Sequence, residues 1–343
     1  MSAVQIIKAP TGAPDDTGPL TALHEAGLTS ESVIALVAKS EGNGCVNDFS
    51  RTLAAHVWAQ VLPEAAITVV SGGTEGVLCP HVTFVAKVPS DRGPVGLRAR
   101  VARTPPIPAH EVGRAGELTA VASAVETILR DLGAAAEEVE LVLVKCPLLT
   151  SERVTRCLAA GETPVTTDTY DSMALSRRAA ALGVAVALGE CSREQAERNL
   201  EGTGRVWSSV ASVSSGAELE DCHILLLAGR RGQGALRALH GVMVDALDMA
   251  AVADLLKVIS EEGGRVVQLF AKAEADPTGT VRGRRHTMLT DSDLHSTRHA
   301  RSAVGGLLAA MVGDGCIYVS GGAEAQGPPG GGPVTIVYEV PAG

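Results

Sequence analysis

Three lysines, three arginines and three serines recur along this chain in one order and in matching surroundings. Lys39, Lys145 and Lys272 each close a short apolar run: VIALVAK, LVLVK and VVQLFAK. Arg51, Arg177 and Arg301 each stand twelve residues before a helix-stopping residue, Pro63, Gly189 or Gly313. Ser71, Ser214 and Ser320 each follow another apolar run and open a turn S-x-G-x-E that ends at Glu75, Glu218 or Glu324. A single strand-end Lys or Ser is ordinarily a solvated terminus, but nine such residues in the same order and role argue for one shared centre. Burial among like charges strips a lysine of its proton. The neutral amine can then take a proton from a serine hydroxyl and turn it into a nucleophile. Arginine adds planar donors for carbonyl oxygen. The glycine turns after each serine are expected to expose backbone N–H groups to an oxyanion. Three equivalent sets call for a ligand with three similar edges, and a six-membered ring of alternating C=O and N–H fits best. The repeat does not say which serine attacks.

The elements that must position these residues follow from the same pattern. Each repeat reads strand–Lys, then Arg–helix, then strand–Ser–turn–strand, with the apolar runs as short buried strands. The Lys-to-Arg spacing is 12, 32 and 29 residues, so the loops vary while the elements stay constant. The helices are expected to start at the arginines, and the twelve-residue spacing selects Arg301 over the nearby Arg298. Helices over 111–131 and 245–260 precede the second and third repeats. The proline-rich RTPPIPAH at 103–110 reads as a linker, and Arg230 to Gly241 as a second. The expectation is an α/β fold of three homologous βαββ-type units around a pseudo-three-fold axis, spanning 1–102, 111–231 and 238–343.

The totals exclude several classes. With 343 residues and 45% hydrophobic content the chain can bury a large core. Its net charge of −10 and its 2% aromatic content argue against nucleic acid and anionic membranes as partners. No apolar stretch is long enough to span a bilayer. MSAVQIIKAP lacks the pattern of a signal peptide. Seven cysteines stand singly, without a CxxC pair, as expected for reduced thiols in a cytoplasmic protein. The run AGRRGQGALRAL misses the dinucleotide fingerprint, since Arg237 stands where the third glycine belongs, and it reads as a turn before a helix. His295 and His299 lack the glutamate of a zinc-protease helix and read as a solvated helix start, while His81 reads as a hydrogen-bonded structural residue.

Seven stretches carry a family resemblance: KSEGNGCVNDFSR, SGGTEGVLCPH, KCPLLT, SMALSRRAAALGVAVALGE, SSGAEL, KAEADPTGTVRGRRHTMLTDSD and SGGAEAQGPPGGGP. Together they span nearly the whole chain, which resembles the ring-opening amidohydrolases of cyanuric acid hydrolase and barbiturase. The resemblance implies a barrel-like core with outer helices and the substrate on the pseudo-three-fold axis. It implies that Lys145 is the base and Ser214 the nucleophile. Lys39 and Lys272 would hold the other carbonyls, and Arg51, Arg177 and Arg301 would contact the ring. So would Ser71 with Gly72, Ser214 with Ser215, and Ser320 with Gly321. Three arginines suit a ring with three equal carbonyls, so the expected reaction is ring opening of cyanuric acid to carboxybiuret, which loses CO2 to give biuret. Opening of barbituric acid to ureidomalonate, or binding of a cyclic imide without turnover, are the alternatives. The resemblance implies no organic cofactor. It does imply a structural Mg2+ or Ca2+ held by Glu274 and by Ala323, Gln326, Gly327, Pro328 and Gly331, and assembly as a homotetramer.

Overall fold

The computed structural model describes residues 3–88 and 96–341, and the outer limits of the expected units at 1 and 343 fall outside them. Three four-stranded sheets share one strand order: serine strand, lysine strand, last strand, first strand. In the first set these are Ile67–Gly72, Val33–Ser40, His81–Val88 and Ala3–Pro10. In the second they are Ala211–Gly216, Val139–Pro147, His223–Ala228 and Arg98–Arg103. The third has Tyr318–Gly321, Arg265–Ala273, Gly332–Glu339 and Leu236–Met243. The first two sets join edge to edge at Ala3 and Arg98 into a single eight-stranded sheet. A β-bulge recurs five residues before each lysine, at Ile34, Glu140 and Val267.

The repeat is therefore longer than βαββ, because each unit opens with a strand of its own. Arg98–Arg103 pairs along six residues with His223–Ala228, so it stands in the second sheet although the expected limit at 102 leaves it with the first unit. Leu236–Met243 lies beside Gly332–Glu339. Half of the expected linker from Arg230 to Gly241 is thus strand, and the turn after AGRRGQG leads into this strand instead of a helix. The leading helices Ala115–Leu132 and Met249–Glu261 lie close to their expected positions. The second unit also carries two short helices, Ser151–Ala159 and Arg193–Leu200, in its longer connections.

The arginine helices begin earlier than expected, at Phe49, Thr169 and Ser296. Their caps explain this. Asp48 accepts a hydrogen bond from the Ser50 N–H, Asp168 from that of Asp171, and His295 from that of Thr297. Gly313, with a left-handed φ of 70°, ends the third helix as expected.

Strand side chains alternate between faces, and this alternation places the functional groups. Leu36 and Ala38 pack outward under the first unit's helices. Val37, Val69, Leu143, Phe270 and Tyr318 point the other way and form one central cluster drawn from all three units. Lys39 follows Val37 by two residues, Lys145 follows Leu143 and Lys272 follows Phe270. Each lysine therefore continues the inward face, above an apolar plug on the axis.

Candidate active site

Register brings each lysine beside its serine. The lysine and serine strands run parallel, with Lys39 opposite Ser71, Lys145 opposite Ser214 and Lys272 opposite Ser320. All three lysines, arginines and serines of the repeat are buried. The serines and arginines, with Gly72, Ser215 and Gly321, line a cavity of about 250 Å3. The lysines lie beneath the serines and do not line it. Around the rim stand Tyr170 and His295, whose ring centres are 5.2 Å apart, and Arg298.

The three lysines are not equivalent. Lys39 Nζ donates to Ser71 Oγ at 3.3 Å and Lys272 Nζ to Ser320 Oγ at 3.1 Å. All three also donate to backbone carbonyls, Lys145 to those of Val70 at 2.8 Å and Ser215 at 3.1 Å, but Lys145 does not bond Ser214 and pairs with Glu218 Oε1 at 3.1 Å instead. Ser214 Oγ has no hydrogen-bond partner among the described residues. Burial, and next the charge of Arg301, hold Lys39 well below the usual lysine range; burial and Arg177 do the same to Lys272. Burial also lowers Lys145, but Glu218 works against it.

Each arginine reaches into the next unit. Arg301 binds both oxygens of Glu75, and Arg177 both oxygens of Glu324. Arg51 donates to the carbonyls of Ser215 at 2.9 Å and Cys45 at 2.6 Å. The S-x-G-x-E repeat marks these glutamates in the sequence, but the pattern alone does not assign them a partner. The turn geometry also corrects one expectation. The N–H groups of Gly73 and Gly322 are already bonded to the carbonyls of Ser40 and Ala273, because the turn folds back on the lysine strand. The lining residues directly after the serines, Gly72, Ser215 and Gly321, remain as candidate backbone donors.

Tyr318 escapes sequence reasoning because it occurs in one unit only; Val69 and Ser212 hold the equivalent positions. Its buried hydroxyl makes no hydrogen bond of normal length. Burial pushes it up to about 12, opposed by the hydroxyls of Ser214, Ser71 and Ser320, so it lies beneath all three serines.

Glu274 leaves the end of the Lys272 strand and accepts a hydrogen bond from the Gly330 N–H at 3.0 Å. Burial, then the charge of Glu324, raises its carboxyl above the usual range. The facing loop 323–331 contains left-handed Ala325, Gly327 and Gly330. One carboxylate against a tightly curled run of carbonyls is a hard-oxygen donor set that fits a cation. The Gln326 amide is committed elsewhere: its oxygen accepts the Val213 N–H at 2.6 Å and its nitrogen donates to Gly322 and Glu324 carbonyls, leaving only the backbone carbonyl of Gln326 for a cation. His299 pairs with Asp291 at 3.0 Å. His81 is held by the Cys79 carbonyl and Gln268, and burial lowers it to about 4.

Comparison with known proteins agrees with this geometry. The family described as amidohydrolase ring-opening protein matches residues 5–339. The chain belongs to that family. It is 60% identical over 342 residues to a cyanuric acid amidohydrolase of Pseudonocardia dioxanivorans, covering 99% of each chain. It is 52% identical over 340 residues to one of Sarocladium, again over 99% of each. The solved cyanuric acid hydrolase of A. caulinodans superposes with a TM-score of 0.90 at 40% identity over the full length of both chains. A second solved cyanuric acid hydrolase, described as an innovation by structural concatenation, gives 0.92 at 39% identity over 99% of this chain and 100% of that one. Three sheets of one strand order are what concatenation of a unit would leave.

Proposed function

We propose that this ring-opening amidohydrolase hydrolyses cyanuric acid. One observation carries the reading: three Lys–Ser pairs in one register and three arginines surround a single cavity, matching a ring with three equal carbonyls. The likeness to cyanuric acid amidohydrolases over almost the whole chain supports it.

In this reading Ser214 Oγ attacks one ring carbonyl carbon and Lys145 takes its proton. Backbone N–H groups after the serines and the arginine guanidinium groups stabilise the oxyanion. The ring C–N bond breaks, the departing nitrogen takes the proton from Lys145, and an acyl-enzyme on Ser214 remains. Water attacks that carbonyl, carboxybiuret leaves, and loss of CO2 yields biuret. Ser71 and Ser320, each bonded to its own lysine, hold the other two carbonyls. Ser214 suits the nucleophile's role because its oxygen is buried and uncommitted. The units around this centre are taken as 1–102, 111–231 and 238–343, with Arg98–Arg103 moved to the second on the strength of its pairing.

Glu274 and the carbonyls of Ala323, Gln326, Gly327, Pro328 and Gly331 would hold a Mg2+ or Ca2+ that braces the loop carrying Glu324. Exposed Phe49, Val77, Val244 and Leu247 are apolar surface that a homotetramer would cover. No described helix is long and apolar enough to cross a membrane, and the seven cysteines are free thiols, which supports a cytoplasmic protein.

Ultraviolet absorbance of cyanuric acid and of barbituric acid, followed side by side with the purified protein, tests the assignment. Consumption of cyanuric acid with CO2 release is expected. Loss of barbiturate with cyanurate untouched would overturn the substrate, and binding without loss of either would make this a binding protein.

A further inference from the structure

The ring of arginines and glutamates breaks its symmetry once. Glu75 of the first unit takes Arg301 of the third, and Glu324 of the third takes Arg177 of the second. By the same rule Glu218 of the second unit would take Arg51 of the first. It takes Lys145 instead, and each member of the missing pair keeps an atom without a hydrogen bond. Among the described residues Glu218 Oε2 and Arg51 Nε are buried without a hydrogen-bond partner, and the nearest carboxylate to Arg51 Nε is that of Asp48, its own helix cap, in a longer ion pair of 3.7 Å.

The backbone supplies the cause. After the first and third serines, Gly73 and Gly322 adopt left-handed φ of 99° and 79°. Gly216, at the same place in the motif, is not among the left-handed residues and still belongs to its strand. Glu218 folds back over it: a Cβ on Gly216 would meet the two carboxylate oxygens of Glu218 at 2.2 and 2.3 Å. This brings the carboxylate to Lys145, and Lys145 is the lysine that does not bond its own serine. Burial alone would raise the Glu218 carboxyl, but Lys145 and Arg51 outweigh it and bring it below the usual range.

We propose that Glu218 is a positioning residue that exchanges Lys145 for Arg51, holding Lys145 away from Ser214 in the resting enzyme and releasing it for catalysis. In the resting state the Glu218 carboxylate faces the Lys145 ammonium. When Glu218 turns to Arg51, as its two counterparts already do to their arginines, that ammonium loses its counter-charge. It passes one proton by way of the Ser214 hydroxyl, which lines the cavity, to water there and is left as an amine. Ser214 then gives its hydroxyl proton to that amine as its oxygen bonds the carbonyl carbon. The groups facing Lys145 are Glu218, Arg51 from the helix Phe49–Val61, Cys146 beside it and Lys39 across the axis, and Arg51 in turn faces the buried Asp48 that caps its helix. Glu218 also faces His223 at the start of the following strand. The inference rests on Lys145 and Ser214 being the working pair.

The test is the pH dependence of two rates in wild type, Glu218→Gln, Glu75→Gln and Glu324→Gln. One rate is kcat/KM for cyanuric acid. The other is the labelling of Ser214 by a fluorophosphonate, read by mass spectrometry, which needs no turnover. Without the Glu218 charge Lys145 sheds its proton at lower pH, so the acid limb of both profiles should move down by about one pH unit or more. Glu75→Gln and Glu324→Gln should raise KM and leave the limb in place. Gly216→Ala keeps the charge but pushes the carboxylate off Lys145, and should move the limb the same way; it serves if Glu218→Gln does not fold. An unmoved limb in both variants at Glu218 and Gly216, or an equal shift in the two controls, overturns the proposal. Labelling at Ser71 or Ser320 in place of Ser214 overturns it by removing the working pair. A wild type that is labelled at Ser214 but does not consume cyanuric acid overturns the substrate instead, and the labelling profile still decides the role of Glu218.

Discussion

Arg301, whose buried guanidinium lines the cavity, and Glu75, 226 residues away in sequence, are joined by two hydrogen bonds of 2.6 Å. The pair ties the third unit to the first, as Arg177 and Glu324 tie the second to the third. Removing one partner strands a buried charge. Glu75→Ala should therefore lower stability by ~3–5 kcal/mol in denaturant unfolding. Arg301→Met on that background should restore part of the loss, because the unpaired cation goes with it. If Glu75→Ala unfolds like wild type, apolar packing alone docks these units.

The serines should separate in two measurements at once. Ser214→Ala should lose more than the ~10²–10³ in rate that an oxyanion donor supplies, with little change in melting temperature, since Ser214 Oγ has no partner to lose. Ser71→Ala and Ser320→Ala each remove an acceptor from a buried lysine. They should cost ~1–3 kcal/mol of stability and reduce turnover less. Comparable losses in all three, with the acyl group trapped on Ser71, would place the nucleophile in the first unit.

The nine repeated residues are legible in the sequence because two physical constraints leave marks there. A lysine that ends a buried strand must follow an apolar run, as Lys145 follows LVLV, and a serine at a sharp turn needs the glycines that follow Ser71 and Ser320. Strand register and the inward face of Lys39, Lys145 and Lys272 then follow from alternation. The arginines do not mark the helix starts because they lie inside the helices, whereas Asp48 and Asp168 are caps that the sequence does show. The leading strands were hidden because LRALHGVM and RARVAR are weakly apolar and are defined by the partners they pair with. The different turn at Gly216 leaves one mark, Ser215 where the other units have Gly72 and Gly321, but glycine occupies the next motif position in all three units and its φ is set by the surrounding fold.

Glu117 should make stability fall as pH rises. It is fully buried behind the helix that carries Arg177, and burial pushes it up to about 8. The hydrogen bonds agree. Ser176 Oγ lies 2.7 Å from both Glu117 Oε1 and the Pro147 carbonyl. The hydroxyl has one proton, which it can give to the carbonyl only if Glu117 donates its own to Ser176. A folded pKa above the unfolded one favours the protonated, folded state at low pH. That stability is full below about 4.5 and is lost as pH rises toward and past about 8. Glu117→Gln should flatten this slope. Lys39 and Lys272 act in the opposite sense, but equally in both proteins, so the difference between the two denaturation series isolates Glu117. Parallel series would mean that Glu117 is ionised in the folded state.

The cation site can be read from stability without any assay of turnover. Glu274 is buried near Glu324, whose charge still raises it although Arg177 pairs with Glu324, so a cation beside Glu274 would relieve the remaining repulsion. Added Mg2+ or Ca2+ should raise the melting temperature in proportion to RT ln(1 + [L]/Kd), and a chelator should lower it. Glu274→Gln keeps a group at the Gly330 N–H while removing the charge. That variant should melt at one temperature with and without the ion. It should also match or exceed chelator-treated wild type, because the repulsion from Glu324 is gone. Wild type that melts identically in chelator and in millimolar Mg2+ and Ca2+ would show that the loop 323–331 holds its shape by its own hydrogen bonds, with Glu274 serving as an acceptor for the N–H groups of Gly330 and Ala323.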